Sequence, residues 1–370
     1  MFNHISDFLI KLFNQPHVFK GMTDKEWEPI IFVLRHEKLL ARYAYKLIDS
    51  GQFDFLSDYP KKHFNNAITL AVRQTEQVFR EANYLSTHIA KYSPYMIFLK
   101  GAGYTLTRHP VGRGRVYSDI DILVEKSSLD SVEKHLCIRD WVSEPINDYD
   151  NKYYRKWAHE IPPLRNASRG TILDIHHNIV PVISGKAPNV GLLTKHVIMT
   201  DDGHQVLSAA AMTLHSAIHL FFNEDFKHGF RDMLDIHILI TNSGDDSFWK
   251  ELLFIAKKTN FTKELVLACH FAHKIWGSDI PKEINEALTD FRYIITPFHN
   301  FIFKRILLPK HPLASEKWLS IADFLGWVRG HWLKMPLHIL IYHFTVKSFR
   351  YLIERVLGAH FFTPNEDAKR

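Results

Sequence analysis

Residues 116–124 read VYSDIDILV, and this stretch constrains the chain more than any other. Side chains alternate across an extended backbone, so Ile120, Ile122 and Val124 share one face while Asp119 and Asp121 share the other. One face is bound for a core. The other presents two carboxylates standing roughly 7 Å apart at the backbone. Upstream, the apolar run YMIFL at 95–99 lies between Pro94 and Lys100-Gly101-Ala102-Gly103, the pattern of a buried strand running into a glycine turn. Downstream, 159–164 and 171–180 (TILDIHHNIV) read as two more strands joined by a turn at 166–170, and the second carries a lone carboxylate, Asp174, with His176 on the same face.

Both flanks are helical. From Asp24 onward, Trp27, Ile30, Ile31, Leu34, Tyr43 and Leu47 recur at three- and four-residue steps until Gly51 ends the run, and a second helix is expected over 61–92. Serine at 127 or 128 is placed to cap a helix running through Leu136. After about residue 205 the strand signal fades, and 206–222, 230–241, 249–259, 263–276 and 318–332 all have helical periodicity. Neither an internal repeat nor a Gly/Ser linker appears. The expected class is α+β: an N-terminal helical region at 1–92, a small α/β core with a mixed sheet at 93–203, and a C-terminal helical domain at 204–370.

Apolar residues make up 46% and charged residues 23% of the 370, which excludes a disordered or low-complexity chain. Cys137 and Cys269 are the two cysteines; they form no zinc spacing and no disulfide framework, so a reducing, cytoplasmic setting is expected. The first residues lack the pattern of a secretory signal, and no run reaches the ~18 apolar residues of a membrane span. The net charge of +6 is concentrated in 304–370, which holds 11 Lys and Arg against 5 Asp and Glu. Within it, 336–358 has a broad apolar surface and a basic stripe. It is expected to pack on the domain as a helix, with a weak contact to a membrane surface or polyanion as the second reading.

Carboxylates two residues apart on one strand face can converge on a divalent cation, and oxygen ligands of this kind suit Mg2+. Two such ions can hold the attacking and leaving oxygens of a phosphoryl displacement. A glycine turn before a helix lets backbone approach an anion such as a triphosphate. Lys100, Arg113 and Arg115 add cations beside it, with Lys100 and Arg115 the favoured pair.

The segment LKGAGYTLTRHPVGRGRVYSDIDILV, followed by HEIPPLRN and TILDIHHNI, resembles the uncharacterised nucleotidyltransferase family of the DNA polymerase β-like superfamily. The motif-bearing match spans 95–181, and LHSAIHLFFNEDFKHGFRDMLDIHIL at 214–239 also looks like the longer members. The resemblance implies that Asp119 and Asp121 are metal ligands, that Asp174 is the third acid, and that Gly101 and Gly103 form the phosphate turn. Where the superfamily usually has Gly-Ser, this chain has Gly-Ala-Gly and a longer spacer, and Ser118 is placed to supply a hydroxyl.

The expected function is Mg2+-dependent transfer of a nucleoside monophosphate from a nucleoside triphosphate co-substrate, with two ions, to a small molecule, peptide, protein or RNA, and with loss of pyrophosphate. Asp119, Asp121 and Asp174 are the expected catalytic and metal-binding residues, and Lys100, Gly101, Gly103, Arg115 and Ser118 the expected nucleotide contacts. Two alternatives stay open. Ala102 in place of serine suits a module that binds nucleotide without turnover. His215 and His219, four apart on one helix, with Asp235 suit a metal hydrolase that needs no nucleotide.

Overall fold

The computed structural model describes residues 5–357 apart from 144, 145, 147 and 315, so the outer ends of the two expected helical regions, 1–4 and 358–370, lie outside it. Residue 358, which closes the basic C-terminal segment, is among those excluded.

Seven strands form one sheet: β1 (Met96–Phe98), β2 (Ile120–Val124), β3 (Trp141–Ser143), β4 (Leu164–Asn166), β5 (Ile172–His176), β6 (Val197–Met199) and β7 (Gln205–Leu207). Their order is β3-β4-β5-β2-β1-β7-β6. β2 runs parallel to β5, and β1 parallel to β7, while the other neighbours are antiparallel. The sheet is mixed and the class is α+β, as the sequence predicts. Ile122, Leu123 and Val124 in β2 and Leu173 and Ile175 in β5 are fully buried, which fixes the register of the central pair because a one-residue slip would exchange the faces.

Several boundaries differ from the sequence reading. β2 begins at Ile120 and not at residue 116, because 115–119 pairs with no strand, bends at Ser118 and is held by a side chain: Tyr117 N–H donates to Gln74 Oε1 at 2.9 Å. The N-terminal helical run breaks at Lys38, whose φ of 58° stops the helix Asp24–His36 before Leu40–Asp49 begins. Pro162 and Pro163 offer no N–H to a ladder, so the strand expected over 159–164 reduces to an isolated bridge between Glu160 and His176 and a separate β4. β3, β6 and β7 have three residues each and were not foreseen.

The helix Asp58–Ile89 anchors the starts of both central strands. Gln74 binds the approach to β2, Gln77 donates to Thr171 Oγ1 at 3.0 Å just before β5, and Glu81 accepts from Thr171 at 2.8 Å and from Arg169 at 2.6 Å. Beyond the sheet, Ala209–Phe222 is buried along nearly its whole length, as its apolar sequence demands, among Gly229–Ser243, Asp246–Lys258 and Thr262–Phe271. A continuous buried cluster extends from Phe8 through the sheet to Ala322.

The last two helices, Leu319–Lys334 and Leu337–Leu357, are separated at Pro336. Tyr149 to His343 at 2.9 Å and Lys347 to Asp150 at 2.7 Å tie the second of them to Asp148–Trp157. Its outer face exposes Ile341, Phe349, Tyr351 and Leu352. No helix among the described residues is long and apolar enough to cross a membrane.

Candidate active site

The register of the central parallel pair sets Asp121 directly beside Asp174. Both therefore stand on one face of the sheet, with His176 two residues beyond Asp174, and Asp119 lies at the mouth of the strand just before its first residue. Asp121 is buried between Lys100 and His176: Lys100 Nζ donates to its Oδ1 at 2.7 Å, and His176 Nε2 lies 2.9 Å from the same oxygen. His176 Nδ1 is 3.2 Å from Glu160 Oε2. Asp119 accepts a 3.2 Å hydrogen bond from Ser118.

These contacts set the charges. Burial opposes ionisation of Asp121, but Lys100 and His176 outweigh it and hold the carboxyl well below the usual range. Burial also works against the His176 imidazolium, yet Glu160 and Asp121 together raise its pKa. Asp119 is pushed up by burial and by Asp121. Asp174 is pushed up to about 7, by burial first and then by the charges of Asp121 and Glu160. Its Oδ1 is buried and has no hydrogen-bond partner.

An unpartnered buried carboxylate oxygen in a field of other carboxylates fits a divalent cation, and an all-oxygen donor set fits Mg2+. The three aspartates line one rim. Among the described residues their donor atoms do not gather as a tight group, and Lys100 and His176 lie on Asp121.

Two cavities meet at this rim. The first, about 270 Å³, contains Lys100, Arg115, Lys227 and Arg231 together with Asp119, Asp121, Asp225, Asp232 and Asp235, and Arg231 is paired with Asp232 at 2.9 Å. The second, about 260 Å³, contains Asp174, Glu160, His159 and Phe222. Lys100, Asp119, His219 and Asn223 belong to both walls. A ligand filling the first cavity thus abuts one filling the second at Asp119.

Lys100 has a φ of 43°, left-handed backbone that costs a non-glycine residue about 1–3 kcal/mol. Its ion pair with Asp121 offsets this strain and aims the amine at the rim. Ser118 and Gly101 line the first cavity. Gly103 does not, and the expected glycine turn is instead the short helix Lys100–Leu106. The Gly103 N–H is already spent on Leu99 O at 3.1 Å, and a Cβ at Gly103 would lie 2.8 Å from the carbonyl oxygen of Phe98. Gly103 is a packing glycine that lets the helix lie on β1. We expect Gly103→Ala to cost about 1–3 kcal/mol, read as a lower urea midpoint.

Arg115 does reach the first cavity, but its guanidinium is ion-paired with Asp235, which Arg42 also contacts at 2.5 Å. Burial lowers both arginines to about 10, though each stays charged. Arg113 is turned away, paired with Asp49 at 2.8 Å. The Asp235 pairing also removes the acid that the hydrolase alternative needs. His215 is buried and pushed down to about 3 by burial, only His219 reaches a cavity wall, and no metal-binding group containing them occurs among the described residues.

Sequence reasoning missed Lys227 and Arg231 as site cations and His159 and Glu160 as wall residues. Lys227 lies in the turn before Gly229–Ser243 and Arg231 in its first turn, in the motif DFKHGFRD, where three basic side chains at a helix start were the available signal. Glu160 had no short-range signal, because it reaches the site only through its bridge to His176.

The raised pKa of Asp174 has a consequence for stability. The folded protein binds its proton more tightly than the unfolded chain does, so this contribution is present below about pH 4 and is lost as pH rises through about 7. In buffer free of divalent ions, Asp174→Asn should therefore raise the thermal midpoint at pH 7.5 and leave it nearly unchanged at pH 4. Equal effects at the two pH values would contradict the assignment.

No curated protein and no solved structure shows significant similarity to the chain. A family model described as uncharacterised nucleotidyltransferase matches residues 23–277, a span that contains every residue of the aspartate rim and both of the cations newly placed in the first cavity. The match covers well over half of the chain, and the chain accordingly belongs to the uncharacterised nucleotidyltransferase family.

Proposed function

We propose that the chain moves a nucleoside monophosphate from a nucleoside triphosphate to an acceptor, with Mg2+ bound by Asp119, Asp121 and Asp174. The observation that supports this most is the pairing of Asp121 with Asp174 across two parallel strands beside a cavity whose wall interleaves four cationic side chains with five aspartates. Bound there, Mg2+ would neutralise charge developing on the phosphates.

The triphosphate lies in the first cavity in this reading. Lys100, Lys227 and Arg231 offset its charge, and Arg115, tethered to Asp235, adds a fixed positive edge. The acceptor occupies the second cavity and meets the α-phosphorus beside Asp119. A new bond forms between the acceptor oxygen and the α-phosphorus, the bond from the α-phosphorus to the bridging oxygen breaks, and pyrophosphate leaves. With a cation beside it Asp174 would stay ionised, and it would take the acceptor proton as it is lost. The apolar part of the second cavity, Ile179, Val180, Ile218 and Phe222, excludes water that would compete as acceptor.

Incubating the protein with each labelled triphosphate, Mg2+ and a cell extract tests the reading. Label is expected in one product class. No labelled product with any of the four nucleotides would favour the binding module without turnover.

A further inference from the structure

We propose that His159, Glu160 and His176 form a second metal site, adjoining the three aspartates but with different donors, that takes a transition-metal ion of the zinc class. One donor atom from each of the three lies within 4.8 Å of the others, and this is the group of three with that property among the described residues. Two imidazoles and one carboxylate make a borderline-soft set, which favours Zn2+ or Co2+ over Mg2+. Three protein ligands with a further position open is the pattern of zinc sites that bind exchangeable ligands.

The group is held by backbone pairing, which keeps its members from drifting apart. Glu160 bridges His176 in antiparallel register, Ile161 N–H donates to Ile175 O at 3.1 Å, and the carbonyl of His159 accepts from His177 at 2.8 Å and from Asn178 at 3.2 Å. The His159 ring lies 5.3 Å from that of His176, and its Nδ1 is buried without a hydrogen-bond partner. An imidazole nitrogen left unpartnered in the interior is a feature that an ion would explain.

Asp121 adds a further feature of such sites. It faces His176 Nε2 at 2.9 Å while Nδ1 faces Glu160, so a carboxylate orients the ring from behind and directs its other nitrogen at the cluster. The open side of the cluster is the second cavity, which all three residues line. None of this depends on nucleotidyl transfer.

The test uses the full chain, stripped with a chelator and then titrated with Zn2+ in the presence of excess Mg2+, with binding read by calorimetry and by metal content after dialysis. One retained equivalent is expected. Affinity should fall at least about tenfold in His159→Phe, which fills the space of the ring, and in Glu160→Gln, which keeps its shape. Co2+ in place of Zn2+ should give the visible absorption of a four-coordinate site, absent from both variants. Asp119→Asn should bind Zn2+ as the wild type does. A wild type that retains no equivalent would overturn the proposal, as would variants that bind as well as the wild type or loss of the ion in Asp119→Asn. Because no readout involves a nucleotide, failure here and failure of the transferase reading are distinguishable.

Discussion

Asp119→Asn is expected to lower nucleotidyl transfer by about a hundred- to a thousandfold while leaving the protein as stable as the wild type or slightly more so. The two halves of this result have different causes. Asp119 sits where the two cavities meet, and the amide removes the negative charge that a bound cation requires there. Its structural ties are slight, a single 3.2 Å hydrogen bond from Ser118, and burial beside Asp121 already disfavours its charge. Initial rates of label transfer at saturating Mg2+, set beside thermal melts, check both halves. A large loss of stability would mean that the activity loss says nothing about the site.

Asp235→Ala is expected to have the opposite profile, a loss of about 3–5 kcal/mol in folding stability. Asp235 is 2% exposed and is the carboxylate shared by Arg42 and Arg115, which are 4% and 9% exposed. Removing it leaves two buried guanidinium groups without the carboxylate they share, and Asp232, itself paired with Arg231, is the acid left near them. Arg42 retains the carbonyl of Val111, whereas Arg115 keeps its position over the Tyr104 ring and the more distant charge of Asp232. The approach to β2 should therefore loosen along with the global fold. Urea unfolding gives the magnitude, and a change under about 1 kcal/mol would show that the arginines are not held as described.

The contrast between these two aspartates shows what the sequence could reveal. Asp119 and Asp121 were legible because strand alternation is a local property: apolar Ile120, Ile122 and Val124 define a buried face, and the acids fall opposite. Asp174 was legible for the same reason. Asp235 was read as a metal-ligand candidate because nothing within a few residues of it tells of Arg42, 193 positions away, or Arg115, 120 positions away. Gly103 was misread because a glycine that admits a phosphate and one that admits a neighbouring carbonyl look alike in sequence. The three-residue strands β6 and β7 lie below the length at which periodicity is informative, and pairing alone defines them. The second cavity is the least legible part, since Glu160, Asp174 and Phe222 meet there only after β5 and the helix Ala209–Phe222 have packed.

The proposed reaction is defined by which bond of the triphosphate breaks. Parallel reactions with label in the α-phosphate and in the γ-phosphate, with Mg2+ and the acceptor fraction, test it most directly. The α-label is expected to join the acceptor while the γ-label leaves in pyrophosphate, and both outcomes are expected to vanish in Asp119→Asn. Gamma-label on the acceptor, or release of inorganic phosphate with no pyrophosphate, would contradict it.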